Sequence, residues 1–317
     1  MRFNPKARLD TGQVSDGGRG GGGMGGGGMR LPIPGGTKAG GGIGGILVII
    51  LFVVLTQCVG GGNGGGGGLG GTSLDPSQLQ DASGDSDRYD HCKSGADANE
   101  DPDCARVAVV NSIQDYWEGE LPEAANTRYE MSDTRTFTGQ TDTGCGAASS
   151  QVGPFYCPQD DRVYLDTGFF DEVLEQQLGG PDGGFVEAYV IGHEYGHHIQ
   201  DITGTMGKVR TQQGEGSDAV RLELQADCYA GMWARSATTT EDADGLVLIS
   251  ELTEEDIRLA IEAAESVGDD RIQKKTSGRV NPESWTHGSA EQRQRWFMTG
   301  YQSGSYDDCD TFSARSL

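Results

Sequence analysis

The sequence predicts an α+β protein, a helix-rich domain with a small sheet, preceded by a single transmembrane helix. Three observations point there. After about residue 103, apolar residues recur at helical spacing in segment after segment. Two short stretches near Arg128 and Arg162 alternate as strands do. One uncharged apolar run stands apart between glycine-rich stretches near the amino end.

Residues 1–38 read as a disordered, Gly-rich cytoplasmic tail. The chain has 53 glycines. Runs such as Gly17–Met29 and Gly60–Gly71 bury too little apolar surface to offset the entropy of ordering them. They lack the strand–loop–helix context and the Gly-Lys-Ser/Thr ending of a phosphate loop, so they read as linkers. Residues 39–60 carry no charge, and their core, Ile43–Leu55, is strongly apolar. That length matches a hydrocarbon layer of about 30 Å. No small-x-small cleavage pattern follows it, which argues against a removed signal peptide. Cys58 follows Gln57 rather than a small residue, so it reads as a free thiol and not a lipidation site. Six of the 24 basic residues, but only two of the 48 acidic ones, precede residue 60. This bias predicts a single-pass membrane protein, with its amino end cytoplasmic and the rest extracytoplasmic.

The net charge of −24 makes nucleic acid an unexpected partner, because an acidic body repels phosphate backbones. Residues 61–102 read as a disordered Gly/Asp-rich linker, and 103–317 as the folded domain. Six cysteines beyond the apolar segment suit an oxidising compartment. Proximity favours Cys92–Cys104 and Cys145–Cys157, leaving Cys228–Cys309. There is no Cys-x-x-Cys to suggest a cysteine metal site.

Within the domain, Val107, Val110, Ile113 and Trp117 mark a first helix. Thr127–Asp133 and Arg162–Asp166 read as strands, with a bent loop or hairpin over 143–158 between them. Further helices are expected at Phe169–Leu178, Gly184–Asp201, Asp218–Ser236, Glu254–Ser266 and Ala290–Tyr301. Thr253 with Asp256, and Ser289 with Gln292, have capping-box spacing.

Three of the five histidines lie in Tyr189–Asp201. His193 and His197 are four apart, which places both on one helical face. Neutral imidazoles in that arrangement suit Zn²⁺, and Glu194 completes His-Glu-x-x-His. Glu194 is expected as the general base that takes a proton from water and returns it to a leaving amine. A His-Glu-x-x-His-x-x-Gly-x-x-His site is excluded, because Gln200 and Thr203 occupy the last two positions. His198 points about 100° away from the metal face and reads as a packing residue. The remaining candidate ligand is Glu223, on a later helix. Asp227, four residues on, is expected to accept the outer ring N–H of a ligand histidine, His193 by preference, with His197 left open. His287 precedes a helix start. It reads either as a donor to the oxyanion of a tetrahedral intermediate, with Arg293 nearby, or as a residue that caps the turn.

The blocks "TGCG", "GPFYCP", "VYLD", "GHEYGHHIQ", "LELQADCYAGMW", "GDDR" and "THGSAEQRQRWF" occur in that order. Together they closely resemble the bacterial "putative neutral zinc metallopeptidase" family over about residues 105–315. The resemblance implies a zincin-like, gluzincin-type domain. Its metal ligands would be His193, His197 and Glu223, and its catalytic residue Glu194. The "THGSAEQR" block is similar to the Thr-His-Pro…Arg block of membrane-embedded gluzincins, which brings in His287 and Arg293 as catalytic residues, although Gly288 stands where that pattern has proline. The expectation is therefore a membrane-anchored zinc peptidase acting on peptide or protein substrates, with the strand around Val163–Leu165 offering them an edge. The other expectation is a zinc-stabilised envelope scaffold without turnover. The sequence gives no indication of oligomeric state.

Overall fold

The structure is a computed structural model and describes residues 1–19, 87–150, 152–181 and 183–317. The apolar segment 39–60 lies outside the described residues. No helix among the described residues is long and apolar enough to cross a membrane.

The architecture is α+β. Helices α1 (Pro102–Ala125), α2 (Gly184–Ile202), α3 (Asp218–Ser236), α4 (Glu254–Ser266), α5 (Asp269–Ser277) and α6 (Ala290–Ser303) pack around one core. Strands β1 (Arg2–Phe3), β2 (Val14–Arg19), β3 (Asp133–Thr138), β4 (Gln140–Thr143), β5 (Gly146–Ser149), β6 (Phe155–Cys157), β7 (Arg162–Asp166) and β8 (Ile249–Glu251) form three small sheets. The largest has the order β2-β3-β7-β6, with β2, β3 and β7 parallel and β6 antiparallel at the edge.

Local chemistry explains the helix limits. Asp101 caps α1 by accepting from the Asp103 amide, with Pro102 at the first helical position. Ser217 caps α3 by accepting from the Val220 amide. Both expected capping boxes form, at Thr253/Asp256 and Ser289/Gln292. The bounds expected for Asp218–Ser236 and Glu254–Ser266 are those observed. All three expected disulfides are formed.

Several expectations are corrected. Phe169–Leu178 holds only a short π-helical stretch, Phe170–Glu175. Thr127–Asp133 is not a strand. The Ser132 amide and the Tyr129 hydroxyl both donate to the Gln114 side chain on α1, so the segment is tethered to a helix and pairing begins only at Asp133. Val163–Leu165 is not an edge, because β7 is flanked by β3 and β6. Residues 87–102 are not linker: Tyr89 and Cys92 are buried, and Cys92 is bridged to Cys104. Residues 1–19 are not a free tail. β1 pairs with β8, β2 pairs with β3, and Phe3, Ala7 and Val14 are buried. Their order comes from main-chain pairing, which composition does not reveal.

Candidate metal centre

The site lies where α2 meets α3. The two helices approach closely at Gly196, where an added Cβ would stand 2.9 Å from the Ala226 Cα and 3.0 Å from its carbonyl oxygen. Glycine at that position lets the backbones come together and brings Glu223 within reach of both histidines.

His193, His197 and Glu223 are buried, with ligand atoms all within 4.8 Å of one another. His193 Nε2 lies 3.3 Å from Glu223 Oε2, and His197 Nε2 lies 3.5 Å from Glu223 Oε1. These separations exceed those of good N–H···O hydrogen bonds. They match the roughly 3.3–3.4 Å between donors that each sit about 2.0–2.1 Å from a tetrahedral ion. The donor set thus fits a divalent ion better than a direct ion pair.

The outer ring nitrogens are held as well. His193 Nδ1 meets Asp227 Oδ1 at 2.8 Å, which settles the partner left open by spacing. Gln200 Oε1 lies 2.9 Å from His197 Nδ1, while Gln200 Nε2 donates to the Leu222 carbonyl at 2.7 Å. Fixing Nδ1 on each ring directs Nε2 toward Glu223. Burial works against the charge on Asp227, but Arg293 and His193 outweigh it and hold its carboxyl down at about 2. Burial likewise opposes the charge on Glu223, and the facing His197, His287 and His193 keep it anionic.

Arg293 does not stand free beside His287. Its guanidinium grips Asp227 at two points, Nε to Oδ2 and Nη2 to Oδ1, both at 2.8 Å. The Tyr189 hydroxyl also donates to Asp227, at 2.6 Å. Arg293 is therefore placed to orient His193 through Asp227, and it also lines the cavity shared by His193, Glu194 and His287.

Glu194 is buried beside the cluster, and its Oε2 accepts the Tyr156 amide of β6 at 3.0 Å. Burial pushes its carboxyl up to about 7. His198 turns away, as expected, with Nδ1 3.2 Å from the Tyr156 hydroxyl and Nε2 2.6 Å from the Glu130 carbonyl.

His287 is buried in the same cavity, of about 70 Å³, as His193, Glu194 and Glu223. Phe169, Leu174, Val190, Ala263 and Val267 wall that cavity with apolar surface. A larger depression, of about 480 Å³, lies between Leu178 and Lys275 and touches none of these polar groups. Asp269 holds the His287 loop. Its Oδ2 accepts the amides of Thr286, His287 and Gly288 at 2.7, 2.7 and 3.1 Å. Its Oδ1 faces His287 Nδ1 at 3.5 Å, and Thr286 Oγ1 meets the same nitrogen at 2.8 Å. Burial opposes a charge on His287, but Glu223 and Asp269 outweigh it and raise its pKa above the ordinary histidine value.

Asp269, Gln200 and Tyr189 join the site without belonging to the His-Glu-x-x-His pattern or the Glu223/Asp227 pair. Asp269 sits in the "GDDR" block, whose two acids open α5. Gln200 lies three residues after His197, on the same face of α2.

Replacing Asp227 with Asn should weaken metal binding by about 10–100-fold without unfolding the domain. Competition against a chromogenic chelator measures this. An unchanged affinity would separate Asp227 from the metal function.

Taken together, the buried His/His/Glu cluster on crossing helices and the adjacent glutamate make a candidate metal site of the His-Glu-x-x-His class. The chain belongs to the family described as "putative neutral zinc metallopeptidase", whose model matches residues 1–312. Among its relatives is Rv2575 of Mycobacterium tuberculosis, 52% identical over 228 residues, which span 71% of this chain and 76% of the relative. YpfJ of Escherichia coli K12 is 40% identical over 221 residues, 68% of this chain and 73% of the relative. Both relatives are described as uncharacterized. No solved structure matches the chain.

Proposed function

We propose that this chain is a zinc metallopeptidase whose site lies in an oxidising, extracytoplasmic compartment. The observation that carries the reading is the spacing of the three donors, 3.3 and 3.5 Å, which suits one small tetrahedral ion. The three formed disulfides support the compartment. Bound zinc supplies Lewis acidity, which polarises a carbonyl and makes water a stronger acid. His193, His197 and Glu223 would hold it. Glu194 takes the proton from the attacking water and delivers it to the departing amine. The Tyr156 amide fixes the Glu194 carboxylate for that transfer. His287, with Nδ1 engaged by Thr286, presents its other ring nitrogen as a donor to the oxyanion. The apolar wall favours peptides with an apolar side chain beside the scissile bond.

A mass-spectrometric digest of a peptide library by the zinc-loaded protein, with and without chelator, tests the reading. Cleavage that stops on chelation is expected. Absence of cleavage by protein carrying one zinc would favour the scaffold reading instead.

His287→Ala should lower kcat by about 10²–10³-fold with metal content unchanged, as expected for a lost oxyanion donor. Asp269→Ala should act in the same direction, and combining the two should add little, because Asp269 works through His287. If the two effects multiply independently in steady-state kinetics, that coupling is wrong.

A further inference from the structure

The strongest feature outside the metal centre is the way residues 1–19 are built into the domain. β2 runs parallel to β3 in the central sheet, with Val14 opposite Thr134, Ser15 opposite Arg135 and Asp16 opposite Thr136. β1 pairs antiparallel with β8. Two side-chain amides of the domain read the main chain of this strap from both sides. Asn99 accepts from the Phe3 amide and donates to the Phe3 carbonyl, each at 2.9 Å. Asn111 on α1 accepts from the Asp10 amide at 2.9 Å and donates to the Asp10 carbonyl at 3.0 Å. Asn111 and its neighbour Gln114 both donate to Gln13 Oε1, at 2.9 and 3.0 Å. Gly95 is needed for the fit, since a Cβ there would lie 2.0 Å from the Asn4 carbonyl oxygen. The arrangement is specific: backbone groups are paired one by one, and Phe3, Ala7 and Val14 complete the core.

We infer that residues 1–19 and the metal-bearing domain lie on the same side of any membrane the chain meets. A strap whose amides are paired inside a sheet cannot be separated from that sheet by a lipid layer. This conflicts with the single-pass arrangement read from the charge bias, which puts the amino end and the domain on opposite sides. A single crossing at 39–60 would forbid β2 from pairing with β3. The conclusion is unchanged if the strap docks on a neighbouring copy, and it does not depend on whether the site hydrolyses peptides. The family match begins at residue 1, so the strap is part of what the family model describes.

Cysteine labelling of the full chain in a Cys58→Ser background tests this. Lys6 in the strap and Arg315 near the carboxyl end are both exposed, so Lys6→Cys and Arg315→Cys leave the packing intact. Intact cells are treated with a membrane-impermeant maleimide, and lysed cells provide the full-labelling reference. The expected result is that the two positions behave alike, both labelled or both protected until lysis. Labelling of one position and not the other in intact cells overturns the inference.

Discussion

Glu194→Gln is expected to bind zinc as the wild type does and to lose peptide hydrolysis by about 10²–10⁴-fold or more. Glutamine keeps the size of the side chain and can still accept the Tyr156 amide through its Oε1, so β6 should stay in place. What it lacks is a site for the proton. Single-turnover rates on a fluorogenic peptide, read beside metal content by mass spectrometry, separate chemistry from binding. Full activity in a variant carrying one zinc would remove Glu194 from the mechanism and leave the site without its base.

Metal removal should have the second large effect, this time on stability. An ion present at a thousand times its Kd stabilises the folded state by about 4 kcal/mol. For a domain of this size that corresponds to a fall in Tm of roughly 8–16 °C on chelation. Glu223→Ala should reproduce the fall without chelator and should make chelator addition ineffective, because the third donor is gone. It should also leave His193 and His197 buried without the carboxylate that now faces both Nε2 atoms. Calorimetry on wild type and variant, each with and without chelator, gives the comparison. Equal shifts in both proteins would place the stabilising ion elsewhere.

The metal centre was legible in the sequence because its geometry is carried by short-range helical periodicity. His193 and His197, and again Glu223 and Asp227, share a face through the i, i+4 relation, which holds wherever a helix forms. Capping boxes fixed helix starts for the same local reason. What could not be read is long-range pairing. The strap at 1–19 has a glycine-rich continuation and a polar composition, and it is ordered by partners far away in the chain, such as Asn99 and Asn111. The alternation in Arg162–Asp166 marks a strand but not its place: β7 lies inside the sheet and β6 at its edge, and strand order is not written in either strand. Arg293 is the instructive case at the site itself. Its place near His287 in the chain suggests a shared role; the fold sets both on the wall of one cavity and joins the Arg293 guanidinium to Asp227, 66 residues earlier. Asp269 was missed because it acts mainly on backbone amides, and any residue type can supply those.

The most direct test is anomalous diffraction at the zinc absorption edge from crystals of the zinc-loaded protein. One peak is expected, within about 2.0–2.2 Å of His193 Nε2, His197 Nε2 and a Glu223 carboxylate oxygen, with Glu194 outside bonding distance. No peak among these three side chains, or one that includes Glu194 as a bonded ligand, would contradict the account.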